Sequence, residues 1–543
     1  MDQFVLDTLF LNGKIYTMKA EGDLVEAIGV RQGRIVFAGS LQASTKYDPK
    51  AIVDLQGKAM IPGLGDSHLH LYAYCQNQAT VGLEEARSME EILSIMKEKA
   101  AATEKGKWIK GTGFDHTKFV ENRMPTRWDL DKISTEHPIV IRRCCLHAMV
   151  ANSLAIEMAE IDQQKLNEYQ GLIELEKDGA LNGIFREKAT AIFDEIVPNP
   201  LSDPGERKKI LLSVLADMVS KGITAVHTYA AKIWNYEESL EAYQELDKDG
   251  ELPIRVVVSL DELFELGVTD GNPGEKDPYQ KAKYGSYKLF TDGSLGARSA
   301  ALSAPYSDDE NNCGILIDET KLVDQLQLAY ERGLQPAIHA IGDHALDITL
   351  DAVETVLEQQ QKSDENKTRL PIRIIHAQMV RNDQMERLKK LPVVLDVQPI
   401  FLCTDLYWIE SRLGKDRIKT TYLWKTLMKN GLILAGGSDC PVESYDPLKG
   451  IYAAVTRKDL NGFPREGWEP QEQLTVFEAI SLFTKNIAYT TGDEDVLGTI
   501  EVNKFADLTV LEEDPFQVEP ERLKDLRVAM TFVAGEKVFD RGE

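Results

Sequence analysis

The chain has 543 residues, of which 43% are hydrophobic and 28% charged, so it contains enough apolar material for a large folded core. Its 88 acidic and 62 basic residues give a net charge of −26, which repels the phosphates of nucleic acids and anionic lipid. These figures argue against a nucleic-acid or membrane partner, and they leave a small molecule as the expected partner.

The N-terminal residues carry no sign of export. They read MDQFVLDTLFLNGK, without the basic start and sustained apolar core of a secretory signal, and no apolar run reaches the ~18 residues of a membrane span. The six cysteines are scattered without CxxC spacing, which is not the pattern of a disulfide framework. We therefore expect a reduced, cytoplasmic protein.

Both ends of the chain contain short β-type segments. Residues 6–56 include LFLNGKIYTM, AIGVRQGRIVFAG and AIVDLQ, and tight hairpin turns are predicted at Asn12-Gly13 and Gln32-Gly33. Residues 506–540 return to this pattern with ADLTVLEED and VAMTFVAGEKVF. The two ends are predicted to pair into one small β-sandwich, made of residues 1–58 and 498–543.

Between the two ends, short apolar segments alternate with amphipathic stretches such as LVDQLQLAYERG. Eight strand candidates lie at 59–70, 223–230, 254–260, 287–293, 336–343, 372–378, 392–399 and 432–439. This alternation predicts an α/β fold in which residues 59–497 form a (β/α)8 TIM-like barrel. The long interval after the first candidate exceeds a normal βα loop, so it predicts an inserted subdomain at about residues 72–220, above the barrel mouth.

Five residues of metal-ligand type fall within these candidates or at their C-terminal ends, where barrel enzymes build their active sites. His68 and His70 end the first candidate and share one strand face, His339 and His376 lie in the fifth and sixth, and Asp439 ends the eighth. Taken singly, each histidine could be a core or hydrogen-bonded residue, and the aspartate could be a turn or cap residue. Their convergence favours a catalytic metal site in which Asp439 is also the general base.

The sequence resembles the amidohydrolase superfamily, and within it the amidohydrolase 3 branch of N-substituted formamide deformylase. The likeness covers nearly the whole chain and rests on IPGLGDSHLH, YKLFTDGSLGARSA, PAIHAIGDHALD, RIIHAQ, VVLDVQP, LAGGSDCPVESYDPL, LTVFEAISLFT and LGTIEVNKFADLTVLEEDP. The resemblance implies that His68, His70 and Asp439 hold the more buried ion. It implies that His339 and His376 hold a second ion.

Lys288 is the sixth predicted ligand. The resemblance implies that this lysine is N-carboxylated by carbon dioxide and bridges two divalent ions, with zinc as the default metal. A physical argument supports this role, because burial lowers the pKa of a lysine and the neutral amine can react with carbon dioxide. The alternative is an ordinary ammonium group that pairs with Asp292 or extends to solvent.

Three residues of the predicted insertion are candidates for substrate binding. Glu187 lies in NGIFREKA, and His147 and Asn152 lie in CCLHAMVANS, both of which resemble branch motifs. Cys145-Leu146 stand before His147 where the branch usually has Asp-Gly. A similar departure follows His227, where Thr228 replaces a common aspartate, so His227 is interpreted as a supporting or core residue.

The predicted activity is metal-dependent hydrolysis of a non-peptide C–N bond, such as the amide of an N-acyl or N-formyl amine. Two alternatives remain. One is a single-metal deaminase of an aminated heterocycle, and the other is a catalytically silent binding protein on the same fold. A homodimer is the default expectation for the assembly.

Overall fold

A computed structural model describes residues 5–78, 80–83, 85–116, 119–143, 148–194, 196–199, 201–230, 236–260, 279–317, 319–361 and 370–542. The chain separates into two compact units, of which the first joins Met1–Leu71 to Leu212–Glu543 and the second is Tyr72–Leu211. Among the described residues, no helix combines the length and the apolar character needed to cross a lipid bilayer.

The first unit contains an eight-stranded parallel sheet that forms a nearly closed barrel within the described chain. In chain order, barrel strands one to eight are Leu64–Leu69, Ile223–Ala230, Arg255–Leu260, Ala282–Phe290, Gln335–Ala340, Ile372–His376, Val393–Val397 and Leu434–Gly436. Beyond the last strand, Asp439 N donates to His68 O at 2.8 Å and His70 N donates to Cys440 O at 2.7 Å. These bonds join the C-terminal ends of strands one and eight, and the predicted α/β barrel is confirmed.

The first strand candidate, residues 59–70, is two strands in different sheets. Ala59–Pro62 pairs antiparallel with Leu508–Leu511, whereas Leu64–Leu69 pairs with barrel strand two. The change of sheet occurs at Gly63, where a Cβ atom would stand 2.2 Å from Thr224 Oγ1. The barrel therefore begins after Gly63 and not at residue 59.

The other strand candidates lie near the observed strands, with shifted ends. The largest shift is in strand four, which was predicted at residues 287–293 but spans Ala282–Phe290. Strand eight ends at Gly436, so Asp439 lies three residues beyond it and not at its end. The periodicity located these strands better than it located their boundaries.

Both chain ends contribute to a second sheet of eight strands in the described part of the chain. Its strands are Val5–Tyr16, Leu24–Arg31, Arg34–Gly39, Asp48–Asp54, Ala59–Pro62, Leu508–Leu511, Val528–Val533 and Glu536–Asp540. The predicted turn at Gln32-Gly33 is present between two of them, and both residues have the positive φ that such a turn requires.

The hairpin turn predicted at Asn12-Gly13 is wrong. The strand Val5–Tyr16 continues through these residues and pairs in parallel first with Asp48–Asp54 and then with Ala59–Pro62. Backbone bonds from Gly57 N to Asn12 O and from Lys14 N to Lys58 O connect the irregular segment to the neighbouring chain. A partner strand, and not a reversal of the chain, uses the backbone groups at this position.

The helices of the first unit bury one apolar face, and the spacing of apolar residues along the sequence explains which face it is. Leu322–Glu331, for example, buries Leu322, Leu326 and Ala329, which lie on one face of a 3.6-residue period. The remaining α-helices of this unit are Leu41–Ser44, Tyr236–Lys248, Asp343–Gln361, Asn382–Leu388, Leu402–Asp405, Ile409–Arg417, Trp424–Lys429, Pro447–Thr456, Val476–Leu482 and Lys485–Thr490.

The second unit has its own sheet and core. Its strands are Val81–Gly82, Ile109–Phe114, Ile139–Arg143, Ala148–Ala151, Ile173–Leu175 and Leu181–Arg186. Its helices include Met89–Ala101, which Ser88 caps and which buries Ile92 and Met96. The other α-helices in or at the ends of this unit are Leu71–Gln78, Arg127–Asp131, Ser153–Met158, Gln163–Glu168, Ala191–Asp194 and Pro204–Ser220.

Candidate metal centre

Three of the predicted ligands place their donor atoms together at the C-terminal end of the barrel. His68 Nε2 and His70 Nε2 lie 3.3 and 2.9 Å from Asp439 Oδ1. One ligand atom from each of the three residues lies within 4.8 Å of those from the other two. The strand spacing of the two histidines and the backbone bond from Asp439 N to His68 O explain this convergence.

Lys288 reaches the same point from barrel strand four. Its Nζ is 3.3 Å from His68 Nε2, and the side chain is buried beside the rings of Phe290 and Tyr229, whose centroids lie 5.0 and 5.6 Å from Nζ. Lys288 forms no salt bridge with any described residue, and Asp292 instead accepts from Ile341 N and Gly342 N. Neither form of the alternative, pairing with Asp292 or extension to solvent, is observed.

The buried position changes the charge that Lys288 carries. Burial lowers the pKa of the amine to about 7, although Asp439 acts in the opposite direction. A substantial fraction of Lys288 is therefore a neutral amine at neutral pH. That state can accept carbon dioxide, whereas an ammonium group cannot.

His339 and His376 lie beside the first three ligands. Their ring centroids are 4.5 Å apart, and the ring of His376 is 5.8 Å from that of His68. His376 Nδ1 donates to Gln398 Oε1 at 2.7 Å, and His339 Nε2 donates to Gly293 O at 3.0 Å. Because each partner is an acceptor, the other ring nitrogen of each histidine retains its lone pair.

Two predicted ligands have strained backbones. His376 and Asp439 have φ values of +76° and +57°, in the left-handed region that residues other than glycine rarely adopt. Such a conformation costs on the order of 1–3 kcal/mol and persists only where the surrounding structure imposes it. Here the strain coincides with two side chains that the sequence had singled out for a metal.

Protonation states at this centre suit a cation. Burial alone would raise the pKa of Asp439, but hydrogen bonds from His68 and His70 hold it well below 3.8. Burial also holds the pKa values of His68 and His376 well below 6.5. At neutral pH the centre therefore presents the Asp439 carboxylate and the neutral imidazoles of His68 and His376, the forms that bind metals.

Several supporting residues were not identified from the sequence. Asp66 Oδ1 accepts from His68 N and Ser438 N at 3.0 and 3.2 Å, and Gln398 orients His376. Asp292 Oδ1 lies 3.4 Å from His339 Nε2. A usable signal existed, because all three polar residues lie at or just beyond a barrel strand.

The donor set fits a divalent transition metal. Ligands bound to zinc at 2.0–2.1 Å in a tetrahedron are separated by about 3.3–3.4 Å. The separation of His68 Nε2 from Asp439 Oδ1 is 3.3 Å, and that of His70 Nε2 from Asp439 Oδ1 is 2.9 Å. Imidazole and carboxylate groups at these spacings are typical ligands of a divalent transition metal.

The predicted substrate residues lie in the second unit. Asn152 caps the helix Ser153–Met158, and its side chain accepts from Ile139 N and Ala155 N and donates to His137 O and Ser134 O. No atom of Asn152 remains free for a substrate. Glu187 begins a 3-10 helix, Glu187–Thr190, but its side chain lies outside the described residues, as does all of His147.

The sequence model of the amidohydrolase family matches residues 51–539. The chain belongs to the amidohydrolase family. Among its relatives in this family, YtcJ of Bacillus subtilis, an amidohydrolase by name, is 33% identical over 99% of this chain and all of its own length. The N-substituted formamide deformylase of Arthrobacter pascens is 25% identical over 98% of each chain.

A solved structure supports the same assignment for this amidohydrolase. An uncharacterized metal-dependent hydrolase from Pyrococcus horikoshii superimposes with a TM-score of 0.77 and 30% identity, over 94% of this chain and 99% of its own. The protein is thus a metal-dependent hydrolase that acts on C–N bonds. His68, His70 and Asp439 form a possible metal site at the C-terminal end of this barrel.

Proposed function

We propose that this amidohydrolase cleaves the amide bond of an N-acyl or N-formyl amine. The observation that carries the proposal is the meeting of His68, His70 and Asp439 beside the buried amine of Lys288. The name of the formamide deformylase relative, which matches along nearly the whole chain, supports this substrate class.

In this proposal, His68, His70 and Asp439 hold one divalent ion, with zinc the first candidate. His339 and His376 would hold a second, and Lys288, carboxylated by carbon dioxide, would contribute to holding both. A bound divalent ion would supply acidification of water, to a pKa of ~7, and polarisation of a carbonyl group. The rings of Tyr229 and Phe290 cover Lys288 and keep solvent from this side of the centre.

Asp439 is the proposed proton carrier. Its carboxylate is ionised at neutral pH and can accept a proton from the attacking water. The hydroxyl part of that water adds to the carbonyl carbon, and the same proton then goes to the amine nitrogen as the C–N bond breaks. Acid and amine are the products, and no organic cofactor takes part.

The test combines metal content with turnover. The protein, purified after growth with zinc, is analysed for bound metal and assayed for amine release from N-formyl and N-acyl amines, before and after chelation. We expect bound divalent metal, loss of activity on chelation and recovery with zinc. Ammonia release from aminated heterocycles, without amide cleavage, would favour a deaminase instead.

A matched pair of variants assigns the proton carrier. Asp439→Asn keeps the side-chain shape but removes the base, so we expect kcat/KM to fall on the order of 10²- to 10⁴-fold. The exposed Asp495→Asn should leave both metal content and kcat/KM unchanged. Full activity in Asp439→Asn would contradict the assigned role.

A further inference from the structure

A cavity of about 230 Å³ lies at the opposite end of the barrel from the metal centre. Gly65, Ala225, Arg255 and Lys283, near the N-terminal ends of barrel strands one to four, form one side of it. The chain around the helix Lys485–Thr490 and Asp507 form the other side. The six predicted metal ligands are not among the residues that line it.

The cavity occupies a place that a barrel normally fills with side chains. Barrel interiors are layered cores of bulky residues, but here strand one contributes only Gly65, and strand two contributes the small Ala225 beside Thr224 and His227. Ala225 pairs on both sides, with Gly65 and Arg255, and is nevertheless only half-buried. Apolar walls come from Val257, Phe483, Ile487, Ala488 and Leu497.

Each of the five charged side chains that line this cavity has a partner within the protein; Lys281 Nζ, for example, donates to Leu252 O at 2.8 Å. Arg255 Nε is 2.7 Å from Asp507 Oδ2, and Lys283 Nζ is 2.6 Å from Asp493 Oδ2. An ion that entered would have to compete with these internal pairs after losing its own hydration. The arrangement therefore favours an uncharged occupant.

His227 supplies a polar group with a defined direction. Thr490 Oγ1 donates to Ile487 O at 2.7 Å, so the same oxygen accepts from His227 Nδ1 at 3.3 Å. This leaves Nε2 as the acceptor of a ring that lines the cavity. Burial holds the pKa of His227 well below 6.5, which keeps the ring neutral.

We propose that this cavity binds an uncharged small molecule with an aromatic or branched apolar body and one hydroxyl group that donates to His227 Nε2. An apolar cavity of roughly 150 Å³ accepts benzene, so this cavity has room for a substituted ring. The site is separate from the metal centre and does not depend on the hydrolytic reaction.

Benzyl alcohol is a suitable probe, because it has an aromatic ring and one hydroxyl group. We expect calorimetry on the metal-loaded full chain to give a dissociation constant on the order of 1 mM, and the melting temperature to rise with probe concentration. Toluene lacks the donor and should bind at least several-fold more weakly. Benzoate carries a charge and should not bind measurably at the same concentrations.

Variants locate the binding. Ala225→Leu and Ala488→Leu fill the cavity from opposite walls and should each weaken benzyl alcohol binding by tenfold or more. The exposed Ala43→Leu is the matched control and should bind as the parent does. His227→Leu should reduce binding of benzyl alcohol to the level of toluene while leaving toluene binding unchanged.

The result that would overturn the proposal is equally specific. Benzyl alcohol binding that survives in both filling variants would place the molecule elsewhere, for example among the aromatic rings of the metal centre. Benzoate binding as tight as that of benzyl alcohol would contradict the neutral class of ligand. Two independent filling variants keep the test decisive if one of them fails to fold.

Discussion

For two of the predicted histidine ligands, His339 and His376, a single acceptor atom decides which ring nitrogen is available. Gln398 Oε1 accepts a hydrogen bond from His376 Nδ1, and Gly293 O accepts one from His339 Nε2. Such partners fix the ring orientation and tautomer, and their loss commonly weakens metal binding or activity 10- to 100-fold. A backbone carbonyl cannot be tested by substitution, but a glutamine side chain can.

Gln398→Leu should therefore lower zinc affinity or kcat/KM by about 10- to 100-fold, because His376 loses its fixed tautomer. Zinc affinity is measured by competition with a chelator, in parallel with the kinetics. Gln398→Glu retains an acceptor and should recover most of the loss. The exposed Gln471→Leu serves as the control, and equal behaviour of the two leucine variants would show that Gln398 does not position His376.

Asp405 is a buried acid outside the metal centre. The Tyr422 hydroxyl donates to its carboxylate, and Thr404 and Glu443 lie close to it. Burial raises the pKa of Asp405 from 3.8 to about 7. The folded state therefore binds a proton at this site that the unfolded state releases between pH 3.8 and pH 7.

The difference in proton binding between the two states determines whether stability rises or falls with pH. The contribution of Asp405 to stability is fully present below pH 3.8 and is lost as the pH rises through about 7. Asp405→Asn cannot ionise, so its stability relative to the parent should increase from pH 5 to pH 8, by at most about 1.4 kcal/mol per pH unit. Urea unfolding at several pH values measures this difference, with the exposed Asp416→Asn as control.

The outcome that would contradict the Asp405 prediction is a constant difference between the two proteins across this pH range. Glu443 also has a raised pKa because of burial, but it is present in parent and variant alike. The burial of Glu443 therefore acts in both proteins, and its charge helps to raise the pKa of Asp405 in the parent.

At the scale of elements, Gly63 allows the continuous segment of residues 59–69 to form strands in two different sheets. Gly63→Ala would bring a Cβ to 2.2 Å from Thr224 Oγ1 and 2.6 Å from Thr224 Cγ2. We expect a loss of about 1–3 kcal/mol in the free energy of unfolding, measured in urea. Adding Thr224→Ala removes both close atoms and should recover part of the loss. Gly205→Ala, in an exposed helix, is the control, and a cost no greater than that of the control would contradict this account.

The same segment shows where sequence reasoning succeeds and where it stops. Short apolar runs that alternate with amphipathic stretches predicted the barrel. Its strands, such as Ile223–Ala230 and Val393–Val397, are buried along nearly their whole length and are therefore visible in the local sequence as apolar runs. The division at Gly63 depends on Thr224, 161 positions away, and no local pattern contains such a contact. At Asn12-Gly13 the turn-like dipeptide was misleading, since a partner strand used the backbone groups instead.

Part of the candidate site, like part of the fold, was predictable from the sequence. Residues of ligand type at strand ends identified His68, His70 and Asp439, whose donor atoms lie together, and the family resemblance added Lys288 beside them. The sequence did not reveal Gln398 as the partner of His376, because that pair joins two strands through side chains. The role of Asn152 was misjudged for a related reason, since its four backbone partners are visible only in the folded chain.

At the scale of the whole first unit, the sheet made by the two chain ends is tied to the barrel by a buried ion pair. Arg255 begins barrel strand three, and Asp507 immediately precedes the strand Leu508–Leu511. Their side chains form two hydrogen bonds, of 2.7 and 3.2 Å, and both are almost fully buried. Asp507 Oδ1 also accepts from Ala534 N at 2.7 Å, so a third part of the chain depends on the same carboxylate.

Breaking this pair should cost more than replacing it. Arg255→Met leaves the Asp507 carboxylate buried without its cation, so we expect a loss of about 3–5 kcal/mol in the free energy of unfolding. Asp507→Asn in the same chain removes the stranded charge but keeps the acceptor for Ala534 N, so the double variant should be more stable than Arg255→Met alone. Urea unfolding of the four proteins measures the coupling between the two sites. Strictly additive losses would mean that the two groups do not act as a pair.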